Sequence, residues 1–255
     1  MLQTEIITIG DELLIGQVVD TNSAFMAQRL NEVGIALYQI TSVHDDATHI
    51  RQAVDAALQR VDVVITTGGL GPTKDDITKR VLCDYFGTTL VYSAEVEKHV
   101  RELYCERPQV LNRLTATQWM VPESATILSN RVGSAPLMVF ERDGKYLISL
   151  PGVPREMEIA MTEQIIPFLQ THCQGMELIT HRTICVEGIP ESALAIELEQ
   201  WENDLPANVH LAYLPKDGKI RLRLSGYGVS PTLIDTLIES LQQQYDAIRR
   251  KKNCQ

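Results

Sequence analysis

The run "VDVVITTGGLGPTKDDITKR" (residues 61–80) joins a near-continuous apolar segment to a loop almost bare of side chains. Residues 61–67 lack the in–out alternation of a half-exposed strand. They predict a strand covered on both faces, as in parallel sheets packed between helices. Glycines at 68, 69 and 71 follow, then Lys74, the adjacent carboxylates Asp75 and Asp76, and a helical pattern from Asp76 to Phe86. A turn needs one or two special residues, and this one has more. The glycines let backbone approach a ligand and reach positive φ without a Cβ clash. Successive N–H groups ahead of a helix start form a concave donor set suited to phosphate or carboxylate, with Lys74 adding a point charge. Asp75 and Asp76 near that start suit both the helix dipole and a divalent cation. The plain alternative is a tight strand–helix turn with an aspartate cap. The Gly-Lys-Ser/Thr ending of a Walker loop is missing, and the glycine spacing is not that of a dinucleotide fingerprint.

Outward from this stretch, strands and helices alternate. "TEIITIG" (4–10) reads as a strand ending in glycine, and "TNSAFMAQRLNEVG" (21–34) as a helix with Met26, Leu30 and Val33 on one face and Gly34 at its end. "IALYQITSV" (35–43) is the next strand, and "THIRQAVDAALQR" (48–60) sets Ile50, Val54 and Ala57 on one helical face. Val96, Val100 and Leu103 line a helix starting near Ser93, "KYLISL" (145–150) supplies a later strand, and "EMEIAMTEQIIPFL" (156–169) a helix behind it. Such alternation predicts a doubly wound α/β domain with a mostly parallel sheet and helices on both faces. In these sheets ligands bind beyond the carboxyl ends of the strands, where Gly10, Gly68 and Pro151 fall.

The pattern changes at the polar stretch "THCQGME" (171–177), which divides residues 1–170 from a compact α+β module over 171–255. That module reads as strand, helix, strand, strand, helix. Leu194, Leu198 and Trp201 share one helical face, and Ile234, Leu237, Ile238 and Leu241 share another.

Other loops fall at the same rim. In "GDELLIGQVVDTNS" (10–23), Asp11 and Glu12 follow a strand directly, and Asp20 to Ser23 precede a helix. They read either as metal- or water-orienting carboxylates with polar ligand contacts, or as a polar turn with a cap. "NRVGSAP" (130–136) and "LPGVPREM" (150–157) bring Gly133, Ser134, Gly152 and Glu156, each explicable alone as a turn. Four such loops at one rim favour a shared site.

The 255-residue chain is 44% hydrophobic, which suffices for a sizeable core, and carries a net charge of −10. That charge argues against a nucleic-acid surface, and "RRKK" (249–252) reads as a solvated helix end. Cys83, Cys105, Cys173, Cys185 and Cys254 form no CxxC pair and read as reduced thiols. With no basic, apolar leader at residues 1–14 and no apolar run long enough for a bilayer, the expectation is a soluble, cytoplasmic protein. The six histidines show no metal-ligand spacing and read as surface or core residues, Trp119 and Trp201 as packing residues. No serine or cysteine nucleophile motif is present.

"GDELLIGQVVDTNS", "TTGGLGPTKDDIT", "GSAP" and "LPGVPREM", in that order, resemble the amino-terminal domain of the CinA family of competence/damage-inducible proteins. That domain is similar to the three-layer molybdopterin-binding fold of MogA- and MoaB-like proteins, and residues 175–250 resemble the family's KH-type domain. The latter lacks the GxxG loop with which a working KH module clamps nucleic acid.

The resemblance implies a pyrophosphatase that converts ADP-ribose to AMP and ribose 5-phosphate with Mg²⁺, Mn²⁺ or Co²⁺, and leaves open whether K⁺ assists. Carried over by motif, Asp11, Glu12, Lys74 and Asp76 become catalytic candidates, and Asp75 and Asp76 metal ligands. Gly10, Asn22, Ser23, Gly68, Gly69, Gly71, Thr78, Gly133, Ser134, Gly152 and Glu156 become contacts to a small nucleotide. In molybdopterin-binding relatives the positions matching Asp76 and Thr78 are functional. A homodimer is the expected assembly. Leu137 stands where the family commonly has glycine after "AP", a change expected to reshape that rim. The sequence ends at Gln255, ahead of where longer members carry an NMN deamidase domain. Two rivals remain: a molybdopterin-binding or adenylylating protein, and a nucleotide-binding module without turnover.

Overall fold

The computed structural model describes residues 2–253; Cys254, grouped above with the reduced thiols, and Gln255 lie outside the described residues. The chain divides into two compact units, Met1–Met176 and Glu177–Gln255. The "THCQGME" stretch is thus split between them. Gly175 belongs to the first unit, where its carbonyl accepts the N–H of Leu2.

The first unit runs β1 (Gln3–Ile9), α1 (Asp11–Leu14), α2 (Thr21–Glu32), β2 (Ala36–Val43), α3 (Ala47–Arg60), β3 (Val63–Thr67) and α4 (Thr78–Phe86). Then come β4 (Leu90–Tyr92), α5 (Ala94–Leu103), β5 (Met120–Pro122), β6 (Thr126–Leu128), β7 (Leu137–Arg142), β8 (Lys145–Leu150), α6 (Pro154–Ala160) and α7 (Ile166–His172). Six strands form one sheet in the order β2-β1-β3-β8-β7-β6. The first four are parallel, and β7 and β6 close the far edge antiparallel.

Strand residues alternate between two cores. Ile6, Val63, Ile65 and Ile148 pack against Met26 and Leu30 of α2 and Met157 and Leu169 behind β8. Ile7, Val64, Phe140 and Leu147 pack against Ile50 and Val54 of α3 and Leu82 of α4 on the opposite face. The expected helix faces are therefore the buried ones. All five residues of β3 are buried, as a central strand requires.

Two helix boundaries differ from the sequence reading. The helix expected from Asp76 starts at Thr78, because the Asp76 carboxylate is engaged with the preceding loop. The helix expected over 156–169 is broken by a π turn at Met161–Ile165. Pro167 lies just beyond it, without an N–H and with a ring that conflicts with the carbonyl four residues back; the wider turn absorbs that conflict. Between β4 and β5 lies a segment that the sequence left unassigned. It holds 3-10 turns at Pro108–Val110 and Thr115–Trp119, and its Leu111 and Trp119 pack against a small cluster of Val96, Val100 and Val121. Leu137 opens β7 in the core with no exposure and is not itself among the residues lining the chamber.

The second unit has β9 (Ile179–Val186), α8 (Glu191–Asn203), β10 (Val209–Lys216), β11 (Lys219–Tyr227) and α9 (Pro231–Asn253), with an antiparallel sheet ordered β10-β11-β9. Leu194 and Leu198 of α8 and Leu241 of α9 bury against Ile220 and Leu222. The expected strand–helix–strand–strand–helix order is the one present, and residues 249–252 fall in α9.

A buried carboxylate paired with a surface arginine ties α3 to the sheet. Glu5, with no exposure, accepts from Nε and Nη2 of Arg60 at 2.8 Å each and from the Thr41 hydroxyl at 2.9 Å. Removing the cation strands a carboxylate in the core. Arg60→Met is expected to lower unfolding stability in denaturant titrations, because it leaves the Glu5 carboxylate without its cation, with Arg60→Lys recovering part of the loss.

Candidate functional site

Three parallel strands end at one level, and their loops meet there. Gly68 has φ +112° and lies so near β1 that an added Cβ would stand 2.1 Å from the Ile9 carbonyl oxygen. Gly152 packs on Gly68 from the β8 side, where a Cβ would come within 3.2 Å of its Cα. Only residues without side chains permit this approach. It opens a chamber of about 480 Å³ lined by Gly10 and Glu12 after β1, Asp45 after β2, and Gly68 to Pro72 after β3. Asp75, Asp76, Ser134, Gly152 and Glu156 complete its polar lining.

The glycine loop is a braced structure. Asp76 Oδ1 accepts the Gly71 N–H at 2.7 Å, and Oδ2 accepts the Thr73 N–H at 2.9 Å and its hydroxyl at 2.5 Å. Gly68 donates to the Leu150 carbonyl. Of the four loop amides from 68 to 71, those of Gly69 and Leu70 have no acceptor among the described residues. They are the two left for an anion. From behind, Gln118 Nε2 donates to the Leu70 carbonyl at 2.9 Å, and Lys79 Nζ to the Thr117 carbonyl at 2.7 Å. Neither Gln118 nor Lys79 was marked by sequence; an amide and a lysine in helical or polar context carry no local signal.

The predicted residues separate into groups. Glu12, Asp75, Asp76, Gly10, Gly68, Gly69, Gly71, Ser134, Gly152 and Glu156 line the chamber. Lys74 is exposed and outside the lining, so it adds no charge to the chamber wall. Asp11 is turned aside: Oδ1 contacts His44 Nδ1 at 2.8 Å, while its N–H donates to Asp45 Oδ2. Asn22 lines an adjoining space, its Nδ2 donating to the Gly152 carbonyl at 2.8 Å. Ser23 is buried in the start of α2, its N–H capped by Asp20, and lines neither space. Thr78 is fully buried under Gly69, its hydroxyl without a partner among the described residues. Gly133 faces Glu156 and Asn130 at a small neighbouring cavity, where Asn130 Nδ2 donates to Glu156 Oε2 at 2.8 Å.

Asp45 is a lining residue that sequence reading also missed. The signal was present, since "HDDATH" (44–49) pairs two aspartates after a strand as "KDD" does. Asp46 caps α3 through the N–H groups of Thr48 and His49, leaving Asp45 to face the chamber. Burial pushes the Asp45 carboxyl up, and the charges of Asp11, Glu12 and Asp75 push the same way against the Asp11 N–H. Carboxylates of Glu12, Asp45, Asp75, Asp76 and Glu156 thus line a chamber whose lining holds no lysine, arginine or histidine.

This donor set suits a hard divalent cation. Among the described residues no three His, Cys, Asp or Glu side chains cluster into a cage. One or two carboxylates completed by phosphate oxygens are what Mg²⁺ ordinarily takes. Glu12, Asp45 and Asp75 are the residues available for it; Asp76 already serves the loop.

Burial carries the Lys79 ammonium down to about 8 from its ordinary value near 10.5. The unfolded chain therefore holds more protons between those values, and this residue's burial cost is full below pH 8 and relieved as pH rises. The stability of the native chain relative to Lys79→Met is expected to rise from pH 7.5 to 10, by up to about 3 kcal/mol, in urea titrations across that range. A flat difference would show the ammonium to be well solvated.

Residues 5–171 match the family model described as a probable molybdopterin binding domain, and residues 181–249 the KH domain of damage-inducible protein CinA. A CinA-like protein of Flavobacterium psychrophilum is 44% identical over 95% of this chain, and one of Cytophaga hutchinsonii 42% identical over 97%. The chain spans 58% of the length of each of these relatives. The solved structure of CinA, of unknown function, from Thermoplasma acidophilum is 31% identical with a TM-score of 0.59, over 66% of this chain and 96% of that one. Among the described residues no helix is long and apolar enough to cross a membrane. A mixed, mostly parallel sheet of the molybdopterin-binding type, its loops gathered at one rim and followed by the KH-type unit, places the chain in the CinA family.

Proposed function

We propose that the chain hydrolyses the pyrophosphate bond of a nucleoside diphosphate sugar, ADP-ribose foremost, releasing AMP and ribose 5-phosphate in the presence of a divalent metal. The observation that carries this reading is the chamber's make-up: two free loop amides beside carboxylates, with no cationic side chain in the lining. Such a wall repels a bare pyrophosphate and accepts one whose charge is offset by Mg²⁺, Mn²⁺ or Co²⁺.

The bound cation supplies neutralisation of phosphate charge and a lowered pKa for coordinated water. One or two of Glu12, Asp45 and Asp75 would hold it against the wall, phosphate oxygens completing the set. Gly69 and Leu70 direct their N–H groups to phosphate oxygens, where charge grows as water adds to one phosphorus and the bridging oxygen leaves. Asp76, Gln118 and Lys79 keep those amides in place and leave no reorganisation for the moment of reaction. Asp11 holds His44 and, through its N–H, the Asp45 carboxylate. The family resemblance supports a homodimer, to be read by light scattering.

The domain's likeness to molybdopterin-binding proteins favours a second reading, in which the same loops hold a pterin phosphate. Incubation with ADP-ribose, and separately with molybdopterin and ATP, each with metal, distinguishes the two by the product formed. Asp45→Asn is expected to keep the native melting temperature and to lower metal-dependent AMP release at least a hundredfold. Unchanged release would remove Asp45 from the reaction, and tight nucleotide binding without AMP under every metal would leave a binding module.

A further inference from the structure

Between the main chamber and the small cavity beside it stands one buried amide. Asn130 is 3% exposed, and both polar atoms of its side chain are engaged. Its Nδ2 donates to the Ala135 carbonyl at 2.9 Å and to Glu156 Oε2 at 2.8 Å, and its Oδ1 accepts the Val132 N–H at 3.3 Å. Two acceptors on one side and a donor on the other leave the amide a single orientation. The Asn130 carbonyl takes the N–H groups of His99 Nε2, from α5, at 2.7 Å and of Gly133 at 3.4 Å. Gly133 makes room for the joint, since a Cβ there would stand 1.9 Å from Glu156 Oε2 and 2.6 Å from Asn130 Nδ2. Three elements thus converge on one carboxylate of the chamber lining: α5, the loop 130–136 and the first turn of α6.

Glu156 differs from the other acids of that lining. Asp76 is committed to the glycine loop, and Glu12, Asp45 and Asp75 are the carboxylates available to a cation. Glu156 has no ion pair, and the Asn130 amide is its one hydrogen-bond partner among the described residues. A carboxylate held at one oxygen by a neutral donor is oriented without being neutralised. That is the relation of a general base to its orienting group.

We infer that Asn130 is a positioning residue for Glu156, and that Glu156 takes the proton of the attacking water. The inference deepens the function proposed above and rests on it. As the water oxygen bonds to one phosphorus, its proton passes to Glu156. The bridging oxygen leaves on the other phosphate with the electron pair of the broken bond, and the proton is afterwards released to solvent. Asn130 is absent from the chamber lining and acts through the carboxylate alone.

A double-substitution cycle on AMP release separates this role from a structural one. Glu156→Gln keeps the shape of the side chain and an acceptor for the amide. It is expected to lower kcat for ADP-ribose about a hundredfold, with KM within threefold and the melting temperature unchanged. Asn130→Ala is expected to lower kcat at least tenfold in the native chain and no more than twofold in Glu156→Gln. Gly133→Ala reaches the same carboxylate from the loop with the amide retained, and the same pattern is expected of it; it decides the question if Asn130→Ala does not fold. Equal losses in both backgrounds, or full activity in Glu156→Gln, overturn the inference and leave hydrolysis standing. A raised KM with unchanged kcat in Glu156→Gln overturns it too, by making Glu156 a binding contact. A native chain that releases no AMP with Mg²⁺, Mn²⁺ or Co²⁺ overturns the proposed function, and this inference with it.

Discussion

The site depends on how closely β1, β3 and β8 are allowed to end beside one another. A side chain at Gly68 would collide with the Ile9 carbonyl oxygen, and one at Gly152 would press on Gly68 itself. Without that contact, the loops after the three strands would splay, and Glu12, the glycine loop and Glu156 would border separate surfaces. The backbone bonds are consistent with this level ending: Gly68 donates to Leu150 of β8, and Gly10 to Val43 of β2. The sheet's two apolar cores hold the strands in register, so a constraint at the strand tips is converted into a chamber of defined width.

Adjacent aspartates in this chain divide their labour. Asp46 satisfies the first amides of α3 while Asp45 faces the chamber. Asp76 satisfies amides of the glycine loop, while its neighbour Asp75 remains exposed at the chamber edge. A carboxylate that accepts two N–H groups is costly to move, and so it makes a good fixture. The other of each pair lines the chamber. Asp20 and Asp11 divide in a similar way, one capping α2 and the other reaching His44.

Much of the fold was legible because it rests on periodicity. Met26 and Leu30, Ile50 and Val54, and the unbroken apolar run of β3 all carry patterns that only one burial arrangement satisfies. The rim could also be placed, since Gly10, Gly68 and Gly152 each follow a strand. What could not be read was which loop atoms are already engaged. Lys74 looked like a phosphate partner and is solvated, whereas Lys79, one turn later, is buried behind the loop. Ser23 and Gly71 looked free and are committed to local bonds. Gln118 reaches Leu70 across forty-eight positions, a pairing that no local pattern encodes. The segment between α5 and β6 was obscure for the same reason: short 3-10 turns lack a repeat long enough to show.

The anionic wall of the main chamber has a consequence for how the molecule would answer to its surroundings. Where guest and counter-ion occupy one cavity, neither affinity is a fixed property; each raises the other by the same factor. A drop in available divalent ion would then loosen the nucleotide as surely as a mutation would, and saturation with nucleotide would draw ion from solution. On the proposed function, occupancy would then depend on both concentrations at once.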